Sequence, residues 1–165
     1  KDEVALSKEK MKKINLKLIA RSVVDDFNNI YEAKRGIQIM LNDQDDQEEY
    51  FINGIENRIE QIIANLLDNS ISFSEDSKKI LVEIYKGDKD KIILKVIDNG
   101  KGFIEIDTKK IFDRFYTNRP DTFGEHSGLG LNIVKNLVDL HSATINASNN
   151  ITQKGANVEI VFPKV

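Results

Sequence analysis

With 165 residues, 40% hydrophobic and 31% charged, the chain has the length and balance of one soluble domain with a sizeable core. The absence of cysteine excludes a disulfide framework, a thiolate zinc site and a cysteine nucleophile, and two histidines, His126 and His141, leave little room for a histidine-rich metal centre. The net charge of -3, with both signs mixed along the chain, argues against nucleic acid as the partner, and no apolar run approaches the roughly 20 residues that span a bilayer.

Lys1 to Lys13 is polar and charged throughout, unlike a signal peptide, and fits a helix tail or a linker. The missing initiator Met carries the expectation that the chain is a piece of something larger. Asn15-Leu-Lys-Leu-Ile19 alternates like a strand. Ala20 to Tyr31 predicts a helix, with Val23, Val24, Phe27 and Ile30 near helical spacing. Gly36 to Leu41 predicts a short strand, and the acidic run Asn42 to Glu48 a turn. Ile55 to Phe73 is the strongest helix: Ile59, Ile62, Ile63, Leu66 and Leu67 form its stripe, and Asn57 is a candidate cap with Glu60 three residues on. Ile80 to Tyr85 and Lys91 to Asp98 predict two strands about a Gly-Asp-Lys-Asp turn. Lys109 to Tyr116 predicts a short helix and Thr117 to Ser127 a polar loop. Leu129 to Leu140 predicts a helix with Gly130, Ile133, Val134, Leu137 and Val138 on one stripe. Ala143 to Ser148 and Ala156 to Phe162 predict a final strand pair around Asn149-Asn150. Helices among mostly antiparallel strands define an α/β sandwich, one layer of helices on one sheet.

Several residues fit a pure core poorly. Asn65 and Asn69 lie one turn apart on the strongest helix, within about 40° of each other around its axis. Asn is a poor helix former. Two amides stacked at the edge of an apolar stripe either ligate a hard cation such as Mg²⁺ or make ordinary hydrogen bonds. Asp98 follows Ile92, Leu94 and Val96 on one strand face, and a buried carboxylate needs a donor. Either Asp98-Asn99-Gly100 forms an Asx-type turn, or Asp98 accepts from a ligand amino group. Gly100 and Gly102 permit close backbone approach or positive φ. Gly128-Leu-Gly130-Leu opens a helix after the polar loop, which suits phosphate, although neither the P-loop nor the dinucleotide fingerprint is present. Phe112 and Phe115 read as core anchors. Arg114, between them, could pair with an acid or meet a phosphate beside the loop. His126 reads as incidental in the loop. His141 falls at a helix C-terminus, where positive charge suits the dipole, and on the apolar stripe, where it packs.

In this order, Asn65-Leu-Leu-Asp-Asn69, Asp98-Asn-Gly-Lys-Gly102, Phe112-Asp-Arg-Phe115 and Gly128-Leu-Gly-Leu-Asn-Ile-Val-Lys135 resemble the four boxes of the catalytic, ATP-binding domain of sensor histidine kinases. The resemblance runs from about Asn15 to Phe162, with Gly155 as a further matching glycine. It implies the Bergerat-type fold, a two-layer sandwich with a mixed, mostly antiparallel sheet. It also implies ATP and Mg²⁺ as cofactors. Asn65 and Asn69 would face the triphosphate, Asn69 as the foremost Mg²⁺ ligand and Asn65 beside it. Asp98 would accept from the adenine amine, and Gly100 and Gly102 would lie against the nucleotide. Phe112 and Phe115 would border the site. Gly128, Leu129 and Gly130 would present backbone N–H groups to the phosphates. Arg114 would act on the γ-phosphate, and Thr117 to Ser127 would form the ATP lid.

The departures are Ser72 and Phe73, where the family often has Lys and Tyr, and His141-Ser-Ala143 in place of His-Gly-Gly. The resemblance divides the chain into residues 1–14, the remnant of a connection to an absent dimerisation and phosphoacceptor domain, and a catalytic domain over 15–165. The receiving histidine would lie on that absent domain. The partners would be that domain and a response regulator, with the isolated domain monomeric and the full-length protein a membrane-anchored homodimer whose catalytic part is cytoplasmic. The alternatives are a non-catalytic nucleotide-sensing module, an anti-sigma kinase, or a gyrase-, mismatch-repair- or chaperone-type ATPase. Those ATPases resemble one another in a Glu where Asn65 stands. An amide cannot take a proton from water, which predicts slow intrinsic hydrolysis.

Overall fold

Asn15 decides where the chain first turns from strand to helix. Its side-chain oxygen accepts from the N–H groups of Lys17 and Leu18, at 3.1 and 3.4 Å, and so caps the first turn. Strand β1 (Lys12–Asn15) therefore ends there and helix α1 (Leu16–Arg35) begins. Of the alternating stretch Asn15 to Ile19, only Asn15 belongs to a strand; Leu16 to Ile19 start the helix. Strand β1 begins at Lys12. Gly36 closes α1 at φ 66°, its N–H bonded to the Glu32 carbonyl at 2.9 Å.

The computed structural model describes residues 10–43, 49–103, 108–113, 129–151 and 154–165. After α1 come β2 (Gln38–Asn42), β3 (Phe51–Gly54), helix α2 (Glu56–Phe73), β4 (Lys79–Lys86) and β5 (Ile92–Ile97). A short 3-10 helix (Thr108–Phe112), helix α3 (Leu129–Leu140), β6 (Thr144–Asn149) and β7 (Ala156–Phe162) complete the described elements. The main sheet has the order β2-β4-β5-β7-β6, and β1 pairs with β3 in a separate two-stranded sheet. β2 runs parallel to β4 and the other main-sheet pairs are antiparallel. The expected mixed, mostly antiparallel sandwich is the architecture observed.

Alternation explains which sheet face is covered. Ile80, Val82, Ile84, Ile92, Leu94, Val96, Val158, Ile160 and Phe162 are buried, while Glu83, Lys95 and Glu159 between them are half-buried. Helix α2 brings its whole expected stripe, Ile59, Ile62, Ile63, Leu66 and Leu67, into the same core. It packs against α1 and α3. In α3 the buried side chains are Leu131, Val134, Leu137 and Val138; Gly130 is exposed, so the stripe is carried one residue further on. Among the described residues no helix is long and apolar enough to cross a membrane.

Three polar side chains fix the junctions. The expected cap of α2 at Asn57 is not formed: the cap position is Ile55, with no side-chain cap bond. The Ile55 N–H donates instead to His141 Nε2 at 3.1 Å, and His141 Nδ1 lies 2.7 Å from the Leu137 carbonyl. With Nε2 accepting, Nδ1 is the nitrogen that donates to the Leu137 carbonyl. His141 is buried and packs between the two helices. At the sheet edge, Asn28 of α1 takes both backbone groups of Ile39: its Nδ2 donates to the carbonyl at 2.9 Å and its Oδ1 accepts from the N–H at 2.8 Å. Arg35 bridges from the end of α1 to the last turn of α2, where its Nη1 donates to Ile71 O at 2.7 Å and its Nη2 to Ser74 O at 2.6 Å.

Candidate functional site

The site is built where α2 ends against the loop that leaves β5. Asn65 and Asn69 are both half-buried at the edge of the α2 stripe, next to the buried Leu66, Leu67 and Ser70. Ser72 turns its hydroxyl back onto its own helix, donating to the Asp68 carbonyl at 2.8 Å. Arg35 donates to two carbonyls at the end of this helix, and Ile71 O also accepts from the Ser74 N–H at 3.3 Å. The Phe73 carbonyl oxygen occupies the space that a Cβ on Gly100 would need. The asparagine helix and the Asp98 turn therefore approach closely, backbone to backbone, at Phe73 and Gly100.

Asp98 continues the buried face of β5 and is 1% exposed. Its Oδ1 accepts from the N–H groups of Gly100 and Ala156, both at 3.0 Å. The first bond is the Asx-type turn expected from Asp98-Asn99-Gly100. The second ties the carboxylate to β7. The Asp98 N–H also donates to Ala156 O at 3.0 Å. Together these bonds set the rotation of the carboxylate from behind.

The two glycines of this turn serve the protein's own packing. Gly100 makes room for the Phe73 carbonyl. Gly102 has φ +83°, and a Cβ there would come within 2.6 Å of Asn149 Oδ1. That oxygen accepts from the Phe103 N–H at 2.6 Å, while Asn149 Nδ2 donates to the Phe103 carbonyl at 2.9 Å. Asn150 Nδ2 donates to the Asp98 carbonyl at 3.0 Å. Gly155, at φ +129°, packs on that same carbonyl, where a Cβ would collide. Sequence reasoning placed Asn149 and Asn150 only as a strand connection. Asn-rich strand ends are ordinary, and nothing in their spacing points to bonds this far along the chain.

Phe112 is buried, as expected of a core anchor, and its carbonyl accepts from Asn132 Nδ2 of α3 at 3.1 Å. Leu129 opens α3. Among the described residues, nothing beyond Gly130's chain neighbours and the nearby backbone of its own helix lies within 4 Å of where a Cβ on Gly130 would stand, so that position is open. Arg114, Phe115, Gly128, His126 and the expected lid, Thr117 to Ser127, lie outside the described residues. Among the described residues no group of three or more His, Cys, Asp or Glu side chains could hold a metal ion. Amide oxygens at Asn65 and Asn69 are compatible with Mg²⁺, which keeps several waters and is commonly completed by substrate phosphates.

A buried aspartate at a strand end thus stands next to a helix carrying two asparagines, in an α/β sandwich. The chain belongs to the histidine kinase-, DNA gyrase B- and HSP90-like ATPase family, whose model matches residues 54–165. It is 35% identical over 148 residues to the sensor protein ChvG of Agrobacterium fabrum, covering 86% of this chain and 25% of ChvG. It is 28% identical over 156 residues to the sensor protein kinase PmrB of Pseudomonas aeruginosa, covering 94% of this chain and 31% of PmrB. The chain thus spans about a quarter to a third of the length of these relatives. The catalytic domain of histidine kinase ThkA superposes with a TM-score of 0.79 at 25% identity, over 93% of this chain and 95% of that one. The sensor-histidine-kinase resemblance and the fold it implied are both supported by these matches.

Proposed function

We propose that this domain binds Mg²⁺-ATP between the Asn65–Asn69 face of α2 and the Asp98–Gly102 turn, and presents the γ-phosphoryl group to a histidine on a separate dimerisation domain. The observation that carries the reading is Asp98: a buried carboxylate whose rotation is fixed by Gly100 and Ala156, at the point where the asparagine helix meets the turn. Such a group is preorganised to accept a hydrogen bond from an adenine amine. Asn65 and Asn69 would offer amide oxygens to Mg²⁺ or its water shell. When bound, the ion neutralises phosphate charge and orients the triphosphate. The open side of α3 at Gly130 would receive phosphate at a helix N-terminus, with Gly128 and Leu129 contributing backbone N–H groups. Arg114 would meet the γ-phosphate, and Phe112 and Phe115 would border the pocket.

Phosphoryl transfer by positioning and charge neutralisation needs no protein nucleophile. It does need an acceptor. His141 is buried, with both ring nitrogens engaged, so it cannot serve. The acceptor would lie in another part of the full-length protein, which would act as a membrane-anchored homodimer, hold this domain in the cytoplasm and serve a response regulator. Calorimetric titration with a non-hydrolysable ATP analogue and Mg²⁺ tests the nucleotide reading. Wild type binds in the micromolar to millimolar range of nucleotide substrates, and Asp98→Asn binds at least about tenfold more weakly. Absence of binding by the folded wild type overturns the reading, and unchanged affinity in Asp98→Asn removes that residue from the site.

A further inference from the structure

We propose that Asn149 and Asn150 are positioning residues for the nucleotide turn, holding the backbone from Asp98 to Phe103 in the shape that the ligand meets. The inference rests on the nucleotide reading and deepens it. Asn side chains near a strand connection usually bond their own turn. Here they reach across the fold, to partners 46 and 52 residues away in the chain. Residues 101–103 lie beyond the end of β5 and belong to no strand. Asn149 stands in for the missing ladder, taking both the N–H and the C=O of Phe103. Asn150 takes the Asp98 carbonyl, and its own N–H donates to the Gly155 carbonyl at 2.9 Å, tying the β6–β7 connection to the turn it supports.

The glycines argue the same point independently. A side chain on Gly102 would strike Asn149 Oδ1, and one on Gly155 would strike both the Asp98 carbonyl and Asn150 Nδ2. Two positions with positive φ are thus shaped around these two amides. The hydrogen bonds also differ in kind, which makes them separable. Asn149 both donates and accepts, whereas in its bonds to Asp98 and Lys154 the Asn150 amide is the donor. An isosteric carboxylate keeps the shape of either residue and removes the donor. Because the amides brace the turn from behind, their loss leaves Asp98 in place and raises the ordering cost of binding.

The test combines calorimetry with a non-hydrolysable ATP analogue and amide hydrogen exchange, on wild type, Asn149→Ala, Asn150→Ala, Asn150→Asp and, as control, Asn146→Ala. Asn146 is exposed on β6 and pairs across to Glu159 on the uncovered sheet face. We expect Asn149→Ala and Asn150→Asp each to weaken binding about tenfold. In Asn149→Ala the Phe103 amide should also exchange at least about tenfold faster, while β5 and β7 amides keep wild-type protection. Asn146→Ala should match wild type in both measurements. Faster Phe103 exchange with unchanged affinity overturns the inference and leaves the nucleotide reading standing. Equal loss of protection in β5 and β7 overturns it too, by showing a general structural role. A folded wild type that gives no binding heat overturns both the nucleotide reading and this inference, an outcome distinct from normal wild-type binding with unaffected variants.

Discussion

His141 holds the start of α2 to the end of α3, because its ring accepts from the Ile55 N–H and bonds the Leu137 carbonyl. His141→Phe keeps an aromatic ring but leaves the Ile55 N–H without that acceptor. The expected loss is about 1–3 kcal/mol in chemical unfolding. His141 on an apolar stripe was legible as a packing residue from sequence, but its partner, 86 residues earlier, was not. Asp98 was legible for a physical reason: two-residue alternation puts it on the face of Ile92, Leu94 and Val96, and that face is buried. Asn65 carries a prediction of its own. A side-chain amide cannot activate water, so ATP hydrolysis by the isolated domain should stay below about 0.01 per second, in the range of unassisted nucleotide hydrolases. A phosphate-release assay checks this, and a faster rate would require a base that the described residues do not identify.

Arg35 and Asn28 belong to one helix and each secures a different neighbouring element. Arg35→Ala removes two charge-assisted bonds to the end of α2 and should lower stability by about 2–3 kcal/mol. The Arg35–Asp76 pair, with Asp76 71% exposed, should matter far less: Asp76→Ala should change stability by about 0–1 kcal/mol. Unfolding midpoints of the two variants separate the clamp from the ion pair. Asn28 covers backbone groups of Ile39 on an edge strand, which would otherwise be a template for another chain. Asn28→Ala should increase concentration-dependent self-association, read by light scattering, and a variant that stays monomeric at high concentration refutes that role. Neither residue stood out in the sequence, because a lone Arg or Asn on a polar helix face looks the same whether solvated or bonded. The long periodic elements were legible: α2, β4, β5, β7 and α3 lie close to where spacing put them. β3 was missed because Phe51-Ile-Asn-Gly54 is four residues with no sustained alternation. Leu16 to Ile19 were misplaced in a strand because the capping role of Asn15 depends on backbone geometry that alternation does not reveal.

Strand order was beyond the reach of pattern reading. Alternation marks a strand's faces but says nothing of its neighbours, and the parallel pairing of β2 with β4 across the whole of α2 appears only in the fold. At this scale the proposed function makes the domain the ATP-holding part of a larger reaction. Mixing it with a separate histidine-bearing helical domain and ATP should give a phosphoryl group that is stable to base and lost in acid. Failure with every such domain, despite normal ATP binding, would favour a nucleotide-sensing role. The glycines around Asp98 also bear on genetics. Any screen for inactive alleles should recover substitutions at Gly100, Gly102 and Gly155, which would invite the conclusion that all three touch nucleotide. Their missing side chains instead face Phe73, Asn149 and Asp98. Such alleles should therefore include temperature-sensitive ones, partly rescued in the cold and by high ATP, whereas alleles that remove the Asp98 carboxylate should be null at every temperature.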